Sequence, residues 1–332
     1  MIQDCHGRRF EYLRLSITEA CSLRCVYCRP DGARSCARPT LTAQEIENLA
    51  GYLARKHGLR KVRLTGGEPT LRRDLPEIIA RLHALPELRE VCLTTNGLTL
   101  AQRAQEYTAA GLKRINVSLD SMRADCFARI TGSKALSAGT EAGATLQHVL
   151  TGLDEARRCG LSPIKINTVV LRGENDRELP NLLRWAAAQH FELRLIELMP
   201  MGPLAGRWAE RFVSAEEMCE TLAPFVESWE LLPHGAESAA RYRVRLVNGE
   251  TAIVGLITAM SCAFCSRCNR LRIAADGSLF PCLMGSPSAN VLSALRPVFD
   301  EQKLDALLAE SFAQKPQEHA HAGTGVMTEI GG

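Results

Sequence analysis

Residues 12–28 read YLRLSITEACSLRCVYC. An apolar strand, Tyr12–Thr18, runs directly into Cys21, Cys25 and Cys28, spaced C-x3-C-x2-C. Three thiolates on one tight loop can grip three corners of a four-iron cluster. The fourth iron is then open to a small molecule. The competing reading is a structural zinc knot, but such sites are usually closed by four protein ligands. His6 and Cys36 are the candidate fourth ligands, and neither has a regular spacing.

Outward from this stretch the strand–helix step repeats. Further candidate strands are Lys61–Thr65, Val91–Thr95, Arg114–Asp120, Ile164–Val170 and Glu192–Met199. After Leu41, Thr42 and Glu45 form a capping box and Leu41 with Ile46 a hydrophobic staple. Ile46, Leu49, Ala50 and Leu53 give that helix its core stripe, and Leu75, Ile78, Ile79 and Leu82 the next. Gly58, Gly111 and Gly160 are stop signals. Six such steps predict an α/β fold, a parallel sheet with helices outside, open or curled into a partial (βα)6 TIM-type barrel. Strand ends in such barrels carry the catalytic loops. Gly132–Ala144 reads as a loop insertion. Beyond Pro200 the alternation stops. The expected division is a barrel over residues 1–205 and a smaller unit over 206–332.

The chain has 332 residues, 23% charged and 46% apolar, with a formal net charge of +3. That is ordinary for a soluble globular protein and too weak a charge to argue for nucleic acid or membrane partners. No apolar run approaches the ~18 residues of a membrane span. Met1–Phe10 is polar and does not read as a secretory signal. A reducing cytoplasmic setting is expected, where 13 cysteines suggest metal ligation over disulfides.

A second cysteine group lies late in the chain. Cys265 and Cys268 form C-x2-C, and Cys282 follows. Alone, this favours a zinc ribbon. Cys262 is available as a fourth ligand. Without it, a second iron would be open, this time to a substrate.

Polar residues interrupt the strands. Parallel strands under helices are normally near-continuous apolar runs. Here Arg14, Arg63, Lys165 and Arg194 fall on four strands, and Asn116, Ser118 and Asp120 make a polar period-two face on a fifth. Buried cations need anionic partners. Internal ion pairs with Asp120, Glu192 or Glu197 are one account. A polyanion such as a nucleoside triphosphate is the other, since Arg and Lys both suit phosphate. No Walker-type loop is present, so a conventional GTPase site is not expected.

The first triad, the aromatic Tyr27 before its last cysteine, and Thr65-Gly66-Gly67-Glu68-Pro69 together resemble the radical S-adenosylmethionine superfamily. More closely, the chain resembles the GTP 3′,8-cyclase family, which begins molybdenum cofactor synthesis. The stretches are LRLSIT at 13–18, RLTGGEP at 63–69, LTTNG at 93–97, INVSLD at 115–120, FCSRCNRLR at 264–272 and the terminal Gly331-Gly332. Arg29 and Thr70 depart from apolar residues usual in that family. The resemblance implies two four-iron four-sulfur clusters, on Cys21, Cys25 and Cys28 and on Cys265, Cys268 and Cys282. It implies S-adenosylmethionine contacts from Tyr27, Gly67, Ser118 and Met199. GTP contacts would come from Arg14, Arg63, Thr94 and Lys165, with Arg194 on the neighbouring strand, and from Arg270 and Arg272 opposite. The implied reaction takes hydrogen from C3′ of GTP and joins C3′ to C8. Gly331 and Gly332 would thread toward Arg14, giving these three catalytic roles. An electron donor and a downstream cyclic pyranopterin-forming enzyme are the implied partners, with the chain a monomer or homodimer. The rivals are a peptide-modifying enzyme of the same superfamily and an iron–sulfur or zinc scaffold binding RNA or protein through Arg270 and Arg272.

Overall fold

The structure, a computed structural model, describes residues 3–28, 39–133, 142–233, 235–319, 323 and 327–330. Six parallel strands come first: β1 (Tyr12–Ser16), β2 (Lys61–Thr65), β3 (Glu90–Thr95), β4 (Arg114–Ser118), β5 (Ile164–Val170) and β6 (Glu192–Glu197). Each pairs with the next in sequence order. Helices α1 (Ala43–His57), α2 (Leu75–His83), α3 (Leu100–Ala109), α4 (Ala124–Thr131), α5 (Ala142–Arg158) and α6 (Leu179–Ala188) connect them. This is the expected partial barrel, with β1, β4 and β6 each two residues shorter at the C-terminal end.

The local signals act as read. Glu45 N donates to Thr42 Oγ1 at 3.2 Å and Thr42 N donates to Glu45 Oε2 at 2.8 Å, closing the box that starts α1. Gly58 ends it with φ 75°, a left-handed cap that costs glycine little. The stripe of α2, Leu75, Ile78, Ile79 and Leu82, is fully buried. Leu13, Leu15, Val62, Leu64, Leu93, Ile115 and Val117 are equally buried, forming the sheet side of the main core. Their period-two partners are the polar residues. Apolar side chains therefore face the helices and polar ones the inner side.

The chain beyond residue 206 supplies both flanks of the same sheet. Strands β7 (Val226–Leu231), β8 (Ala240–Leu246) and β9 (Thr251–Ile257) extend it from β6, with β6 and β9 parallel. Strands β10 (Arg270–Ile273), β11 (Ser278–Phe280) and β12 (Ala289–Asn290) extend it from β1, with β1 and β10 parallel. The result is one 12-stranded sheet, ordered β12-β11-β10-β1-β2-β3-β4-β5-β6-β9-β8-β7. No helix among the described residues is long and apolar enough to cross a membrane.

Candidate active site

Backbone contacts shape the loop after β1. Gly67 N donates to Thr18 O at 2.8 Å and Glu68 N to Ala20 O at 2.7 Å. A Cβ on Gly66 would lie 2.3 Å from Thr18 O, and one on Gly67 2.4 Å from Ala20 O. The glycine pair thus lets the loop after β2 dock against the cysteine loop. Glu68 is buried and accepts from Thr70 Oγ1 at 2.6 Å, Thr95 Oγ1 at 2.7 Å and Asn96 N at 2.6 Å. Burial raises its carboxyl, against the pull of those donors. Thr70, a departure from the resembled family, is one of these partners. On the other side, Arg24 N and Val26 N donate to carbonyls at the end of α4, both at 2.9 Å.

Cys21, Cys25 and Cys28 all line one cavity of about 350 Å³. Tyr27, Gly67, Ser118 and Met199 line it too, as do Arg14, Arg63, Thr94, Arg194, Arg270 and Arg272. Because β1 to β6 and β10 all contribute, the sheet must curve around this space. Tyr27 Oη donates to Asp120 Oδ2 at 2.7 Å. Burial brings the Asp120 carboxyl up to about 6.

Three arginines form a row across the sheet. Arg14 is in register with Arg272 on one side and Arg63 on the other. Arg63 donates to Tyr12 Oη at 2.5 Å and to Thr94 Oγ1 at 3.2 Å. Among the described residues, buried Arg14 Nε has no hydrogen-bond partner. Burial, with Arg63 and Arg270 and against Tyr12, pushes Arg14 down to about 10. Burial, Arg14 and Arg270 push Arg272 well down. Mutual depression of this kind is relieved by an anion.

Lys165 stands in different surroundings. It is not on the cavity wall. Its Nζ lies 2.9 Å from Glu192 Oε2, with both groups buried. Arg194 shares that carboxylate at 2.7 Å, and Arg241 approaches it at 3.2 Å. The ion-pair account therefore holds for Lys165 and Arg194. Asp120 and Glu197 are not the acids involved. Glu197 accepts instead from Ala215 N at 2.9 Å and Met260 N at 2.8 Å.

The second triad is built by a tight turn and a hairpin. Cys268 N donates to Cys265 O at 3.1 Å. β10 and β11 turn at Asp276-Gly277, where Gly277 has φ 82°, and bring Cys282 back beside the other two. Arg270 stacks 4.6 Å from the Phe264 ring centre and donates to Cys268 Sγ at 3.5 Å. Burial pushes the Cys268 thiol up, but Arg270 and Lys315 outweigh it and bring it down to about 6. Burial raises Cys265, opposed by a backbone N–H from His319. Phe264, Asn269, Arg270 and Leu283, each within two residues of one of these thiols in sequence, line the cavity.

Cys262 is exposed, and its carbonyl accepts from Thr258 Oγ1 at 2.8 Å. His6 is exposed. Cys36, Gly331 and Gly332 lie outside the described residues. The chain does reach the cavity close to its end: Met327 lines the wall, and Ile330 is buried in a small core with Met201, Phe280 and Met284.

Among the described residues no group of three His, Cys, Asp or Glu side chains is arranged to hold a single metal ion. A cubane places each thiolate on its own iron, so the three need not converge. Burial, Asp120 and the two neighbouring cysteines hold the Cys25 thiol well above its usual range. A cationic metal group reverses that balance. The first donor set therefore suits a cluster better than a single ion.

Sequence reasoning missed Lys61 and Arg114, which line the cavity and share Glu90, Lys61 at 3.0 Å. Period-two alternation from Arg63 and Asn116 was enough to find them. It also missed Lys315, for which no local signal exists.

Residues 15–186 match the Radical SAM superfamily and residues 191–321 match Molybdenum Cofactor Synthesis C. A GTP 3′,8-cyclase of Pelotomaculum thermopropionicum is 39% identical over 324 residues, 96% of this chain and 95% of the relative. One from Moorella thermoacetica is 38% identical over 338 residues, covering 100% of both chains. In fold, the chain is similar to Streptococcus suis SuiB bound to S-adenosylmethionine, with TM-score 0.59 and 12% identity over 97% of this chain and 78% of that one. On this coverage and identity, the chain belongs to the GTP 3′,8-cyclase family of the radical SAM superfamily.

Proposed function

We propose that the chain is a lyase that cyclises GTP to (8S)-3′,8-cyclo-7,8-dihydroguanosine 5′-triphosphate, the first step of molybdenum cofactor biosynthesis. The observation that carries this reading is one cavity lined by a thiol triad, by the sequence neighbours of a second triad, and by the row Arg272–Arg14–Arg63. Cys21, Cys25 and Cys28 would hold one four-iron cluster, and Cys265, Cys268 and Cys282 a second. When bound, the first cluster with S-adenosylmethionine supplies a one-electron cleavage that generates a carbon radical.

The chain's own residues position and shield. Tyr27, Gly67, Ser118 and Met199 border the cofactor. Arg14, Arg63 and Thr94 meet the triphosphate, Arg63 already oriented by Tyr12 and Thr94. Arg194 joins them from Glu192, and Lys165 acts through that same carboxylate. Arg270 and Arg272 approach from the side of the second cluster, Arg270 pinned against Phe264. Fixed charges in a water-poor pocket orient a substrate with little reorganisation. Gly331 and Gly332 follow buried Ile330 and are short enough to enter the cavity toward Arg14. The division into 1–205 and 206–332 is the corresponding functional one, with the second part supplying the base end of the site. An electron donor and a pyranopterin-forming enzyme are the partners, in the reducing cytoplasm that 13 cysteines suit.

Anaerobic reconstitution, then dithionite, S-adenosylmethionine and nucleotide, tests this. About eight irons are expected from two four-iron sites, with 5′-deoxyadenosine formed only when GTP is supplied. Four irons with tightly bound zinc would refute the second cluster. Turnover indifferent to the nucleotide would refute the substrate. Removing Gly331-Gly332 should abolish cyclisation while iron content stays; full activity would rule the tail out.

A further inference from the structure

The two triads sit in opposite electrostatic surroundings. Among the described residues, the Asp120 carboxylate acts on Cys25 of the first, whereas the Arg270 and Lys315 cations act on Cys268 of the second. Arg8 is held by Asp4 at 2.6 Å and donates to the carbonyls of Cys265 at 2.9 Å, Pro316 at 2.7 Å and Gln317 at 3.1 Å. These bonds staple the segment after helix Glu301–Ala313 to the Cys265 loop. Lys315 starts that segment and is 4% exposed. Its ammonium donates to the carbonyl of Pro281, the residue before Cys282, and lies 5.1 Å from the centre of the Phe10 ring. Its anionic neighbours are the thiols of Cys268 and Cys282, and its cationic ones Arg8 and Arg272.

A buried ammonium held by one carbonyl and an aromatic face is costly unless an anion shares its surroundings. The Cys268 and Cys282 thiolates fill that role. Arg270 and Arg272 also stand near, but they line the cavity, and a bound triphosphate or base engages them. Lys315 is not among the residues that line the cavity. Its charge therefore acts on the thiolates whether or not substrate is bound.

We infer that Lys315 is a positioning residue for the second cluster, a fixed positive charge that retains the cluster and favours its reduced, more negative state. This rests on the reading that Cys265, Cys268 and Cys282 hold a four-iron cluster. The potentials of such clusters follow net charge, hydrogen bonds to sulfur and exposure. One cation added beside the thiolates raises the midpoint. Among the described residues, Cys25 of the first triad has the Asp120 carboxylate for a neighbour instead.

The test is an anaerobic dithionite titration of the full chain followed by electron paramagnetic resonance, with iron counted on the same samples. Added S-adenosylmethionine perturbs only the first cluster's signal, which separates the two. In Lys315→Met holding about eight irons, the second midpoint should fall by about 59 mV or more, a tenfold change in a one-electron equilibrium. Lys315→Arg should restore it. Loss of the second cluster in Lys315→Met but not in Lys315→Arg supports the same role. An unchanged midpoint in an eight-iron Lys315→Met protein overturns it. So does loss of the second cluster in both variants, which would mean that shape and not charge matters. Wild-type protein with only four irons would instead overturn the two-cluster reading, and this inference with it.

Discussion

Lys165 shows how a single residue's role depends on what stands beside it. Its strand position marks it as inward-facing, and that is correct. Glu192, two residues before Arg194, then claims it. Burial, first, and Arg194 hold Lys165 at about 8, against the pull of Glu192, where 10.5 is ordinary. A lowered folded pKa means that the unfolded chain binds more protons between those values. This group therefore makes the protein gain stability as pH rises through about 8 and stop gaining near the unfolded value. Wild-type apoprotein should gain up to ~3 kcal/mol more than Lys165→Met over that interval, read from urea midpoints on either side of pH 8. Equal pH dependence in the two proteins would mean that Lys165 stays charged. Among the described residues, Arg14 and Arg63 have no such carboxylate in direct contact, which is why they remain the better candidates for phosphate.

Among elements, α1 is the most completely specified by its own residues. Thr42 and Glu45 cap it, Leu41 and Ile46 are buried at its entry, and Gly58 ends it. Glu45 has a second task that the helix signal does not contain. Arg296 donates to it at 2.5 and 2.9 Å, tying α1 to the end of the chain. Thr42→Ala should cost about 1 kcal/mol in urea unfolding, with iron content and GTP-dependent cleavage of S-adenosylmethionine unchanged. A loss of iron would show that the cap also shapes the cysteine loop before it. The hairpin β10–β11 is equally legible from Asp276-Gly277. Its pairing partner is not, since a parallel neighbour leaves no turn between the two strands to read.

At the scale of the molecule, the sheet joins the two ends of the chain. β10 lies against β1 and β9 against β6, so the six-stranded barrel has no free edge of its own. One core runs through both parts, from Phe10 and Leu13 to Leu271, Leu304 and Phe312. Stripping residues 206–332 would expose two strand edges and part of that core. The full chain should therefore unfold by circular dichroism in a single cooperative transition. Two resolved transitions would show instead that the parts fold independently.

Apart from what the family resemblance names, the α/β class, the strand and helix positions, the spacing of both cysteine groups and the inward-facing Arg14, Arg63 and Arg194 followed from the sequence alone. Each rests on local rules: period-two and helical alternation, capping chemistry, turn residues and thiol spacing act over a few residues. What only the tertiary structure decided is long-range. That the late strands flank the barrel, that Lys165 is spent on Glu192, and that Lys315 stands behind Cys268 and Cys282 depend on contacts far apart in sequence. The physical reason is that a charge's role is set by its neighbours within a few ångströms. For inward-facing residues of a curved sheet, those neighbours come from other strands.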